Sequence, residues 1–156
     1  LFLNDGTGNF TAVASPRDDF LSVLSVSRAL CAGDVDNDGD VDFLVVNAAA
    51  HVELFKNEAQ KKGNWLMVRA IEPALGGRDA YNAAITLKTP SRTWSRLVQA
   101  AASYCSSHDP RVHFGLGPVD RVEQIDVLWP NGDRERFPGC QVNQFLTLKH
   151  GDGQLP

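Results

Sequence analysis

The sequence predicts an all-β chain in which a partial propeller-type repeat is followed by a small β-sandwich or barrel. Three observations point there. An acidic stretch, Asp34 to Asp42, runs straight into the apolar segment Phe43-Leu44-Val45-Val46. A six-residue pattern, Val52-Glu53-Leu54-Phe55-Lys56-Asn57, echoes the opening Leu1-Phe2-Leu3-Asn4-Asp5. Beyond residue 64 the chain breaks into short β-prone runs at regular spacing, separated by Gly, Pro and Asn, as in sandwiches and barrels.

The first sixteen residues read as two short strands joined by the turn Asp5-Gly6-Thr7-Gly8-Asn9, a hairpin in which Phe10 and Val13 are expected to face a core. Residues 17–28 are mixed and polar, and they read as a loop. Ala29 to Ala32 is a small-residue strand that delivers the chain to Gly33 and the acidic stretch. Val41 to Asn47 is nearly continuous β-branched and aromatic sequence, the pattern of a strand buried on both faces. The echo between residues 1–5 and 52–57 gives a repeat period near fifty residues, of which only about one unit and a fraction is present. A propeller closes radially with several blades, so this region cannot close alone.

Residues 58–64 are polar and free of large apolar groups, which makes them a linker. The organisation expected is therefore a repeat region over 1–60, a β domain over 61–150 and a tail over 151–156. The β domain should contain strands at Trp65–Ile71, Ala84–Thr89, Thr93–Ala100, Arg111–Phe114, Val122–Trp129, Arg134–Phe137 and Phe145–Lys149. Gly76-Gly77, Pro90-Ser91, Gly115-Leu116-Gly117-Pro118 and Pro130-Asn131-Gly132-Asp133 read as the turns between them. In the fifth strand Ile125, Val127 and Trp129 share one face, while Gln124, Asp126 and Leu128 share the other. The run Ala100-Ala101-Ala102 could instead form a short helical turn.

The formal charge of −4 is more than accounted for by the five aspartates of the acidic stretch. The rest of the surface is balanced, which argues against a nucleic-acid partner and against a polybasic membrane anchor. No run is long enough for a transmembrane helix. The chain opens on Leu1 without a signal segment, as expected of a processed protein or a piece of a longer one. Cys31, Cys105 and Cys140 cannot all pair with one another, which leaves one disulfide or three thiols open.

The chemistry lies in Asp34-Val35-Asp36-Asn37-Asp38-Gly39-Asp40-Val41-Asp42. Oxygen ligands at alternate positions suit a hard cation that accepts six to eight oxygens, namely calcium. Asp34, Asp36, Asp38 and Asp42 would supply carboxylates, and Asp40 its backbone carbonyl, with Gly39 at the sharp turn. An EF-hand would carry a bidentate glutamate at the twelfth position, which here is Val45 inside a strand. The alternative is a solvated acidic turn, but a hydrophobic strand would then be anchored to an uncompensated anionic knot.

Leu3 to Thr11 and Gly33 to Asn47 resemble the end of one calcium-binding FG-GAP, or VCBS-type, repeat and the metal loop of the next, the blade unit of integrin-like propellers. The second half resembles the ASPIC/UnbV domain, which follows such repeats in the cartilage acidic protein family. The residues that carry this second likeness are Asn64-Trp65-Leu66, Asp109 to Gly117, Val127 to Gly132 and Val142-Asn143-Gln144. The resemblance implies a secreted protein, extracellular or periplasmic, that is calcium-dependent and has no known catalytic residues.

Competing sites are weaker. Ser107-His108-Asp109 has the letters of a hydrolase triad, but adjacent residues on an extended chain point to opposite faces. Arg92, Trp94 and Arg96 share a strand face and could form a cation–π ladder for a glycan, although a tryptophan packed under arginine stems is the plainer arrangement. His113 reads as a sheet histidine. The function expected is a non-enzymatic calcium-binding interaction or structural module. It would assemble through β edges, by self-association into a filament or as the end of a larger propeller. The alternative is a calcium-dependent secreted enzyme or carbohydrate-binding protein acting on polysaccharide, for which Asp120, Glu123 and Asp126 are the clustered carboxylates.

Overall fold

Apolar residues at every second position, where turn chemistry brackets them, build the larger part of the molecule as two facing sheets. The computed structural model describes residues 2–13, 24–60, 63–101 and 103–156. In chain order its strands are β1 (Phe2–Asn4), β2 (Phe10–Ala12), β3 (Ser27–Gly33), β4 (Asp42–Asn47), β5 (Glu53–Phe55), β6 (Asn64–Glu72), β7 (Arg78–Asp79), β8 (Ala84–Lys88), β9 (Thr93–Leu97), β10 (Val112–Gly117), β11 (Arg121–Leu128), β12 (Arg134–Gln141) and β13 (Gln144–Lys149). One sheet runs β10-β6-β13, with β7 added to the end of β6, and the other runs β12-β11-β8-β9. All neighbours are antiparallel except β6 and β13, which run parallel from Gln144 opposite Leu66 to Lys149 opposite Ile71. The chain is all-β, as the sequence predicts.

The core lies between these two sheets. Leu66 and Val68 of β6, Ile85 and Leu87 of β8, Phe114 and Leu116 of β10, and Ile125 and Val127 of β11 are each no more than 2% exposed, and Trp129 and Phe137 join them. Each such side chain contributes roughly 1.5–3 kcal/mol on burial. The alternation read in β11 is what places Ile125, Val127 and Trp129 inside, while Asp126 turns out to pair with Lys88 and Arg136.

Among the described residues, every buried apolar side chain comes from residue 65 onward. The three-stranded antiparallel sheet β3-β4-β5 buries polar groups instead: Asp34, Asp42 and Asn47. On one of its faces Leu44 sits opposite Leu54, and both are exposed. The hairpin β1-β2 forms as expected, and Asp5 closes its turn by accepting from Thr7 and Asn9. Phe10 does not face a core: it is 63% exposed, and Val13 is half-buried. A two-stranded ribbon has no second layer of its own to cover an aromatic ring.

Other expectations shift. Gly115-Leu116-Gly117 is strand and not turn, because β10 continues through a bulge to Gly117 and buries Leu116. Flanking glycines imitate a turn in sequence, yet here they allow close approach: a Cβ on Gly63 would lie 2.9 Å from the Gly117 Cα. Strand β3 starts at Ser27, inside the segment read as a loop, and residues 14–23 of that neighbourhood lie outside the described set. Ala100 and Ala101 are not helical, Ala100 is buried, and Ala102 lies outside the described residues. Near the end of the chain Gln154 pairs with Arg136.

Candidate metal centre

The acidic stretch is the connection between two hydrogen-bonded antiparallel strands, with Gly33 of β3 opposite Asp42 of β4. This strand–loop–strand setting leaves no room for an EF-hand, and Val45 sits in β4 opposite Leu30. Asn37 and Gly39 both take positive φ, 58° and 96°, which folds the loop back on itself. A glycine meets that requirement without strain, and asparagine tolerates it.

The folding brings Asp34, Asp36 and Asp42 together, one carboxylate oxygen of each lying within 4.8 Å of the others. Oxygens bound to one calcium at 2.3–2.6 Å lie at separations of roughly 3–5 Å, so this spacing matches ligands that share an ion. Asp34 and Asp42 are each 3% exposed. Backbone donors fix their orientation: Asp34 accepts from the Asp38 and Gly39 N–H groups, and Asp42 from those of Val35 and Asn57. An oxygen that takes one N–H keeps a second lone pair for a cation. The donor set could hold a metal ion.

Asp38 and Asp40 are not part of that convergence. The Asp38 carboxylate is exposed and accepts the Asp40 N–H at 2.9 Å, and Asp40 is half-buried. Asp36 is the exposed member of the trio, and Lys56, just past β5, reaches it at 2.6 Å. The hydrogen bond from Lys56 lowers the Asp36 pKa, and Asp36 in turn raises that of Lys56.

The loop is also held from below, through residues whose role the sequence did not disclose. Arg111 donates to the Asn37 side chain at 2.6 Å and to the Asp34 carbonyl at 2.9 Å. Asp109 orients that guanidinium by accepting from its Nε and from the Arg111 N–H. His113 Nε2 lies 3.0 Å from the Gly39 carbonyl, and the Trp65 ring lies directly under Gly39. Asn143 then exchanges both backbone and side-chain hydrogen bonds with Trp65 and Asn64. In the sequence these residues stood only within Asn64-Trp65-Leu66, Asp109 to Gly117 and Val142-Asn143-Gln144, the segments that carry the ASPIC/UnbV likeness, with nothing there to name their partners.

Ser107-His108-Asp109 is a fastening and not a triad. His108 Nδ1 accepts the Ala32 N–H, Asp109 donates its N–H to the Ala32 carbonyl, and Ser106 donates to the Leu30 carbonyl, so this segment lies along the outer edge of β3. Arg92 stacks on Trp94 at 5.1 Å, and Trp94 packs against the core. Asp120 and Glu123 are exposed, and Asp126 is held between two cations. The three cysteines are free thiols. Among the described residues no helix is long and apolar enough to cross a membrane.

Residues 75–155 match the family described as ASPIC and UnbV. The chain belongs to that family. It is 32% identical over 103 residues to cartilage acidic protein 1 of Xenopus tropicalis, an alignment that covers 64% of this chain and 16% of the relative. It is 29% identical to the human and mouse proteins of the same name over the same length. The chain thus spans about one sixth of the length of these relatives. Most of the matched family region coincides with the two facing sheets, and the aspartate loop lies N-terminal to it.

Proposed function

We propose that this ASPIC/UnbV chain is a non-enzymatic, calcium-stabilised interaction module of an extracellular or periplasmic protein. In this reading residues 1–60 form part of an FG-GAP, or VCBS-type, repeat and residues 61–150 an ASPIC/UnbV-like β domain. Calcium binds between Asp34, Asp36 and Asp42, with Asp38 and the Asp40 carbonyl as further oxygens, and the clamp of Arg111, His113 and Trp65 carries the resulting rigidity into the facing sheets. The observation that supports it is the convergence of three carboxylates, two of them buried, on a loop seated on those sheets. The likeness to cartilage acidic protein 1 supports the extracellular setting.

Calcium added to metal-free protein should raise the melting temperature, because a ligand that binds only the folded state stabilises it in proportion to its saturation. Asp36→Asn, at an exposed member of the trio, should fold and lose most of that rise. Absence of any rise in the parent protein would sink the assignment. The repeat region is further proposed to engage a protein partner or a second copy through its strand edges, since Phe2, Leu3 and Phe10 are exposed on a ribbon of only two strands. Sedimentation across a concentration series tests this: growth in mass supports self-association, and a 17 kDa species throughout removes it.

A further inference from the structure

Four titratable side chains gather at the end of β6 that lies away from Trp65 and the aspartate loop. His150, which follows β13, presents Nδ1 to Glu72 at 2.6 Å, and Nε2 to Asp133 at 3.1 Å and Glu135 at 3.9 Å. Glu72 ends β6, and Asp133 and Glu135 flank the start of β12, so the group draws on both facing sheets. No lysine or arginine among the described residues pairs with any of the three carboxylates.

A carboxylate only accepts, so Nδ1 directs its proton to Glu72, and the lone pair of the neutral ring then points at two further carboxylates. Such a group is repulsive unless a cation lies within it. A proton on Nε2 serves Asp133 but does not reach Glu135, since 3.9 Å is beyond a hydrogen bond. Glu135 faces the core from β12, opposite Val127, with its side chain only 9% exposed. The Gly151 N–H donates to its Oε1, Gly153 packs against Oε2, and Oε2 has no hydrogen-bond partner. A buried carboxylate is costly without a matching charge. Among the described residues the other buried side-chain atom without a partner is Trp129 Nε1, on the ring that stacks against His150 at 4.7 Å.

We propose that His150 Nε2, Asp133 and Glu135 bind a zinc ion. A ring nitrogen with two carboxylates suits zinc, whereas the aspartate loop offers oxygen alone, as calcium prefers. Zinc holds such ligands at about 2.0–2.2 Å, which places them roughly 3.2–3.6 Å from one another. The separations of 3.1 and 3.9 Å from Nε2 bracket that range. Asp133 and Glu135 are the pair still apart, because among the described residues only Asp34, Asp36 and Asp42 bring three such atoms within 4.8 Å of one another. Asp133 stands at a hairpin tip with its side chain 59% exposed, and turning inward closes the distance. Glu72 fixes the ring from Nδ1, as an outer carboxylate does for metal-binding histidines, and water takes the fourth position. The ion would fasten the end of β13 to the β11–β12 hairpin, independently of calcium.

The test is a calorimetric titration of the whole metal-free chain with zinc, in saturating calcium and a reductant, alongside nitrogen NMR of the His150 ring. One zinc should bind per chain and shift the Nε2 resonance. Asp133→Asn keeps the bonds to Asn131 at the tip, so it should fold as the parent and weaken zinc at least tenfold. His150→Gln should weaken it at least a hundredfold. Asp36→Asn, on the aspartate loop, should bind zinc as the parent does. Absence of zinc binding overturns the proposal. So does equal binding by Asp133→Asn or His150→Gln, which would place the ion on the free thiols, and so does loss of zinc in Asp36→Asn, which would place it on the loop. A melting temperature indifferent to calcium with zinc still bound removes the calcium assignment alone.

Discussion

Gly39 and Trp65 are fitted to one another so closely that a methyl group on Gly39 would fall 2.1 Å from the indole ring. The aspartate loop therefore rests its one glycine on an aromatic plate supplied by β6, which Phe145 braces edge-on at 5.1 Å. Gly39→Ala combines a side chain at φ 96° with a steric overlap, and should cost about 3 kcal/mol. Thermal unfolding should fall by roughly 10 °C for a chain of this size. Adding Trp65→Leu should recover part of the loss, and a fully additive double variant would show that the two residues are not coupled.

Arg111 reaches the loop from β10's approach by bonds that need a planar fork. Arg111→Lys keeps the charge but loses that geometry, and should destabilise by about 2 kcal/mol. Asp109→Asn should cost much of the same amount, since Asp109 orients the guanidinium. Denaturant unfolding of the two single variants and the double reads this, and coupling near zero would refute the clamp.

His150 stacks on Trp129 and lies between Glu72 on one nitrogen and Asp133 and Glu135 on the other. Burial works against its charge, but the hydrogen bonds to Glu72 and Asp133 and the neighbouring carboxylates outweigh that and raise its pKa. Its contribution is thus complete below the unfolded value near 6.5 and is lost as pH rises through the higher folded value. Stability should fall as pH rises from 6 toward 8 and above, and His150→Gln should flatten that slope in a melting series. An unchanged slope would remove His150 as its source.

Asp5 offers the opposite sign. Hydrogen bonds from the Thr7 hydroxyl and N–H, then from Asn9, hold its carboxyl down to about 2. The hairpin should keep this contribution above the unfolded value near 3.9 and lose it as pH falls through about 2. A carboxyl-carbon NMR titration should place the Asp5 midpoint well below that of exposed aspartates. A midpoint near 4 would contradict the turn geometry.

Strand positions in the second half were legible because each turn signal bracketed an alternating run, as at Ile125, Val127 and Trp129 ahead of Asn131-Gly132. The crossing that lays β13 parallel to β6 was not, since pairing between residues 78 apart leaves no local trace. In the acidic stretch the spacing named five aspartates as candidates, and the structure gathers the carboxylates of Asp34, Asp36 and Asp42. Asp38 stands outside that cluster, because alternation along a chain does not describe a loop containing two positive-φ residues. Arg111, His113 and Trp65 were visible only as members of a resembling motif, their partners lying more than twenty residues away in sequence.

The covering of β3 by Ser106, His108 and Asp109 sets a direction. One margin of the three-stranded sheet already spends its backbone groups on the neighbouring sandwich. Any strand that joins this sheet has to arrive beside β5. In the proposed assembly a sheet closed along one margin could pair at most once, so two copies meeting edge to edge would finish as a pair and not run on into a row.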